Sequence, residues 1–163
     1  MQSDEWQGLE RASDYLQRLR RKVGHDLLVL PSVTILAFDE SRRVLLIRHA
    51  SRDLWVAPGG MIEPDETPAM AAHREMQEET GFLPRKVVPL GGFYSAPGYS
   101  TEYLYLFLAT DLVKSQLVAE DTDEIKLVRV PFAEVHELVR SGALCDSKSL
   151  AGLLAYREWL VAH

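Results

Sequence analysis

The chain has 163 residues, 47% hydrophobic and 26% charged, with a formal net charge of −6, which describes one soluble domain long enough for a single core. Its acidic balance disfavours long nucleic acid as a partner, because neutralising phosphates requires a basic surface; small anionic ligands stay open wherever a metal offsets the local charge. No run reaches the ~18 apolar residues of a membrane span and the N-terminus has no apolar signal region, so no membrane association and a cytoplasmic location are expected by default.

Trp6, Leu9, Leu16, Leu19 and Val23 recur near helical spacing ahead of Gly24, which predicts a helix over 4–23. Arg18, Arg20, Arg21 and Lys22 then complement that helix's C-terminus. This gives an N-terminal helix, 1–24, before a domain over 25–163. Strands are expected at 27–30, 32–38 and 44–49, the last two joined by the polar turn Asp39-Glu40-Ser41-Arg42 and apolar enough for the centre of a sheet. Beyond residue 82, the segments 87–93, 103–109 and 125–130 are rich in strand formers, and 133–140 and 147–161 read as helices. Cys145 is the only cysteine, which excludes an intrachain disulfide or a Cys-based zinc cluster and suggests a free, buried thiol. Nothing in composition or repeats divides the chain further.

The densest pattern lies between these halves, at 60–82. Gly60, Glu66, Arg74-Glu75, an apolar Met76, Glu78-Glu79, Gly81 and an apolar Phe82 stand at fixed offsets. A helix fits inside: Thr67 can cap it, Pro68 suits a first turn that needs no donor, and Gly81 supplies a left-handed stop. Glu75, Glu78 and Glu79 then fall at i, i+3 and i+4 and share one face, where like charges repel by about a few tenths of a kcal/mol per pair. A solvated surface would tolerate that, since most acidic runs are wet faces. A hard dication binding carboxylate oxygens would offset it, and the surrounding fixed positions favour the metal.

With these residues the window resembles the signature of the Nudix hydrolases, Gly-x5-Glu-x7-Arg-Glu-apolar-x-Glu-Glu-x-Gly-apolar, at every position. The segment 55–60 resembles the strand that leads into it, and the likeness extends more loosely from about Leu28 to the C-terminus. The resemblance implies an α/β fold, an α/β/α sandwich around a mixed sheet, here with an additional N-terminal helix. It also implies Mg²⁺- or Mn²⁺-dependent hydrolysis of a nucleoside diphosphate linked to another group. By the same resemblance Glu75, Glu78, Glu79 and the carbonyl of Gly59 match metal ligands, Arg74 orients the glutamates, and Glu66 buttresses the loop, where it also complements the helix N-terminus. His73 and His49 read as surface and strand-end residues rather than ligands.

Substrate choice rests on residues downstream. Residues 94–102, with Pro97, Gly98 and Glu102, resemble the Ser-Pro-Gly-aromatic-x-x-Glu loop of ADP-ribose pyrophosphatases, although a Pro-Gly dipeptide would turn the chain regardless of function. The subgroup likeness continues in the acidic stretch 120–124 and in 147–153. It implies a general base from that stretch, Glu120 or Glu124, with Glu75 as the alternative. The expected substrate is therefore ADP-ribose or a related nucleoside diphosphate sugar, and the expected assembly, from family habit, a homodimer. Two departures keep other readings open. Pro58-Gly59-Gly60 is a form commoner among triphosphate and dinucleoside-polyphosphate hydrolases, and a helix stands where the subgroup has N-terminal strands. Trp55, Tyr94, Tyr99 and Tyr103 could stack on a base or simply pack. A nucleotide-sugar sensor without catalysis is the remaining class, one usually marked by a broken signature or a fused DNA-binding domain.

Overall fold

The computed structural model describes residues 12–49, 54–118 and 125–163. Helix α1 (Ala12–Val23) carries Arg20, Arg21 and Lys22 in its last turn; the expected start of that helix, at 4, lies outside the described residues. Strands β1 (Ser32–Phe38), β2 (Arg43–His49) and β3 (Trp55–Val56) precede α2 (Pro68–Thr80). Then come β4 (Phe82–Tyr94), β5 (Tyr103–Lys114), β6 (Ile125–Pro131), a 3₁₀ turn (Phe132–Glu134), α3 (Val135–Ser141) and α4 (Ser147–Ala162).

The six strands form one sheet in the order β3-β2-β1-β5-β4, with β6 paired to β2. Because β1 and β5 run parallel while the other pairs are antiparallel, the sheet is mixed. Alternation along β1 sorts the core into two layers. Val33, Ile35 and Ala37 pack with Ala71, Ala72 and Met76 of α2, whereas Leu36 and Phe38 pack with Leu153 and Tyr156 of α4. This is the expected α/β sandwich.

One irregularity in the sheet positions everything that follows. β2 pairs with β1 only at Ala37↔Leu45 and Phe38↔Val44; farther along, the same edge of β2 takes β3 at Ile47↔Val56 and Arg48↔Trp55, while β6 lies along its other edge from Arg43 to His49. The first half of β1 fills its vacant edge with a loop: Val33 N–H donates to the Gly60 carbonyl at 2.9 Å and Ile35 N–H to the Pro58 carbonyl at 2.8 Å.

The structure corrects three expectations. Residues 27–30 form no strand. At that end β5 covers one side of β1, while Ser32 bridges to Met61 and Ile62 N–H bonds to the Pro31 carbonyl on the other, so no sheet edge is left for them. Cys145 is exposed rather than buried, because it stands in the loop just before the α4 cap while its neighbour Leu144 takes the core position. Strand β4 starts at Phe82, five residues before the expected 87, and tolerates Pro84 and Pro89 because it is an edge strand. Among the described residues no helix is long and apolar enough to cross a membrane.

Candidate active site

Helix α2 presents the acidic face, and its ends follow from local chemistry. Thr67 accepts from the Met70 N–H at 3.2 Å, Pro68 occupies the first turn, and Gly81 takes the left-handed conformation at φ 75°. Buried Ala71, Ala72 and Met76 press one side of the helix on the sheet, which leaves Glu75 at the edge of the core and only 7% exposed.

Arg74 organises the carboxylates around it. Its Nε and Nη2 bond Glu66 Oε1 and Oε2 at 2.8 and 2.9 Å, Nη1 reaches Glu75 Oε1 at 2.8 Å and Glu78 Oε2 at 3.1 Å, and Nη2 also reaches the Met61 carbonyl at 2.9 Å. Glu66 in turn accepts from the Glu63 N–H at 3.0 Å, tying the loop to the helix. Glu63 itself lies 3.8 Å from Arg74 Nε, a member of the cluster that the sequence pattern did not single out.

Opposite this face lies the loop that completes β1. Gly59 N–H donates to Glu79 Oε2 at 2.8 Å. Gly59 has φ 153°, and a Cβ there would stand 2.2 Å from the Val33 carbonyl oxygen. A Cβ on Gly60 would stand 2.4 Å from Glu75 Oε1. The sheet and the acidic face therefore meet across two glycines.

Burial pushes the Glu75 carboxyl up to about 7 against the pull of Arg74. Burial, with the charge of Glu75, pushes Glu79 up to about 8 against the Gly59 N–H. Burial also raises Glu78, again opposed by Arg74. For Arg74, burial alone would favour the neutral form, but its bonds to Glu66 and the charge of Glu75 prevail and hold its pKa above the usual range.

These groups suit a hard dication in donor type and charge. One oxygen of each of the three carboxylates is engaged by Arg74 or Gly59, which leaves Glu75 Oε2, Glu78 Oε1 and Glu79 Oε1 without a protein donor among the described residues. All three carry charge that burial disfavours, and a cation would offset it. Among the described residues no three His, Cys, Asp or Glu side chains already converge on one point, so ligation requires these side chains to turn toward a common centre.

The loop at 95–102 forms a second feature. Ser95 Oγ donates to Glu102 Oε2 at 2.6 Å, the Glu102 N–H to Ser100 Oγ at 3.1 Å, and the Ser100 N–H to the Ala96 carbonyl at 2.9 Å, with Pro97 and Gly98 exposed at the tip. Together with residues 27–29 and Ser147 it walls a pocket of about 360 Å³. Tyr99, 86% exposed, lines that pocket, whereas Tyr103 packs edge-on between Tyr94 and Tyr105 and Trp55 lies under Arg48. His73 bonds the Ala69 carbonyl of its own helix. Glu120 and Glu124 lie outside the described residues. The structure thus brings Gly59, Arg74, Glu75, Glu78 and Glu79 into one cluster and sets Pro97, Gly98 and Glu102 in a separate loop.

Comparison with known proteins places this geometry. The NUDIX domain profile matches residues 29–151. A CMP-5'-(N-acetyl-N-hydroxy-3-aminopropyl)phosphonate hydrolase of Streptomyces rubellomurinus is 33% identical over 144 residues, covering 82% of this chain and 67% of its own. An ADP-ribose pyrophosphatase of Bacillus subtilis is 29% identical over 124 residues, covering 72% and 67%. The crystal structure of an ADP compounds hydrolase superposes with a TM-score of 0.74 at 26% identity, covering 81% of this chain and 73% of its own.

Proposed function

The chain belongs to the Nudix hydrolases, close to the ADP-ribose pyrophosphatases, and as such is a pyrophosphohydrolase; from that premise we propose that it hydrolyses the diphosphate of ADP-ribose or a related nucleoside diphosphate sugar with Mg²⁺, releasing a nucleoside monophosphate and a sugar phosphate. The observation that carries this reading is the acidic face of α2, held by Arg74 against Gly59 and Gly60, with a pocket walled by the 95–102 loop at the same end of β1 and β5.

In this reading Glu75, Glu78, Glu79 and the Gly59 carbonyl hold the divalent ion. When bound, that ion supplies the positive charge that phosphoryl transfer demands around the anionic oxygens. The chain's own residues do the rest. Arg74 fixes the glutamates and leaves their outward oxygens free. Water adds to one phosphorus, the bridging P–O bond breaks, the leaving phosphate keeps the bond's electron pair, and the water's proton passes to a carboxylate. Glu120 and Glu124 are the proposed bases; Glu75 is the alternative, and of the three it is the one within the described residues. Ser95 orients Glu102 toward the hydroxyl-rich half of the substrate.

A panel of ADP-ribose, nucleotide sugars, dinucleoside polyphosphates and nucleoside triphosphates with Mg²⁺ tests the reading. ADP-ribose or a nucleotide sugar should turn over fastest, and Glu78→Gln and Glu79→Gln should each lower kcat at least about a hundredfold. Preference for triphosphates, the choice suggested by Pro58-Gly59-Gly60, would overturn the substrate assignment, and full activity in both variants would overturn the mechanism.

A further inference from the structure

We propose that Lys148, in the first turn of α4, binds the diphosphate of the substrate and spans the gap between the acidic face and the pocket beside residues 95–102. The inference rests on the diphosphate-hydrolase reading above and adds a residue to it.

The contacts of its neighbours place the lysine. Ser149 Oγ accepts from the Ala57 N–H at 2.8 Å in a buried bond, which pins the first turn of α4 to the strand end two residues before Gly59. Gly59 in turn holds Glu79, and the charge of Lys148 acts on Glu79. On the other side, Ser147 lines the pocket that Ser95 and Glu102 share. The first turn of α4, which carries Lys148, therefore lies between the two features that a substrate joined through a diphosphate must occupy together.

Its charge is also lightly committed. Among the described residues its ion-pair partner is Asp146 Oδ1 at 3.6 Å, beyond hydrogen-bond length, and that oxygen already caps the helix by accepting from the Ser149 N–H at 3.0 Å. Arg74, by contrast, directs its donors at Glu66, Glu75, Glu78 and Met61. An anionic substrate meeting an acidic face needs a cation besides the metal, and a lysine on a flexible stem suits a phosphate as a point charge.

The test compares the wild-type protein with Lys148→Gln and Lys148→Arg, by calorimetric binding of ADP with Mg²⁺ and by kinetics on ADP-ribose. Losing one charge-assisted contact should weaken ADP binding about tenfold and raise KM about tenfold while kcat changes less than about threefold, because the contact serves ground and transition states alike. Arginine should recover most of the loss, and thermal midpoints should stay together, since the ion pair given up, to Asp146 at 3.6 Å, is partly exposed and contributes little to stability. ADP binding within about twofold of wild type in the Gln variant, or no recovery with Arg, would overturn the proposal and leave the hydrolase reading standing. If triphosphates prove to be the substrates, the sugar assignment falls, and KM for a triphosphate in the Gln variant decides the role of Lys148.

Discussion

Arg74 has five N–H donors, and five hydrogen bonds to Glu66, Glu75, Glu78 and the Met61 carbonyl match them in number. It therefore works as a frame for the acidic residues rather than as a hand for the substrate. Sequence spacing revealed that Arg74 and the glutamates belong together; it could not reveal that Glu66, eight positions back, takes the bidentate side of the fork, because a loop sets that contact. The two glycines facing this frame differ in what they would meet as alanine. At Gly59 the obstacle is backbone, the Val33 carbonyl, whereas at Gly60 it is the far end of the Glu75 side chain, which can move. Gly59→Ala should accordingly cost about 3 kcal/mol or more in denaturant melts. Gly60→Ala should stay within about 1 kcal/mol of wild type yet lose about a hundredfold in kcat, because it displaces a carboxylate from its working position. Equal stability losses in the two variants would contradict this account.

Helix α2 shows how much of an element can be legible in its ends. Thr67, Pro68 and Gly81 mark its limits in the sequence and occupy those roles in the structure. Thr67→Ala removes the bond to the Met70 N–H and should lower stability by about 1 kcal/mol. The thermal midpoint should drop by about 2–4 °C. Substrate-saturated turnover should hold, since tertiary packing of Ala71, Ala72 and Met76 keeps the helix in place; a large fall in kcat at unchanged midpoint would show that the cap acts on the site instead. Other elements were less legible for physical reasons. In β4 the strand signal is interrupted by Pro84 and by Arg85-Lys86, and only its place at the sheet edge makes those residues compatible with a strand. Residues 27–30 have the apolar content of a strand but no open edge to join, and Leu27 remains 79% exposed. The first turn of α4 stood out in the sequence only through the likeness of 147–153 to the subgroup; its tie to the site was not legible, because the Ser149–Ala57 bond joins residues 92 positions apart.

For the whole molecule, the acidic site opposes the fold that holds it. Glu75 and Glu79 have pKa values raised by burial to about 7 and about 8, so the folded chain binds protons more tightly than the unfolded one. Their stabilising effect is complete below the ordinary glutamate range and is lost as pH rises through those values. The metal-free protein should therefore melt at lower temperature at pH 8.5 than at pH 5.5 (about three pH units apart, bracketing the shifted values). Added Mg²⁺ should raise the midpoint more at the higher pH, where the carboxylates no longer hold protons against it. A metal-free midpoint that climbs across this range would refute the assignment of buried, crowded carboxylates. The fold class was legible because alternation in β1 and the spacing in α2 are local, whereas the early parting of β2 from β1 is a tertiary event that no short window of sequence records. That parting also ties the sheet to the candidate site. With the Pro58 and Gly60 carbonyls standing in for a missing strand, the backbone bonds that finish this edge of the sheet are the same ones that hold the loop facing the acidic helix. A change that loosens the edge of β1 should therefore be felt at Gly59 and Gly60 as well, so that sheet and site yield together.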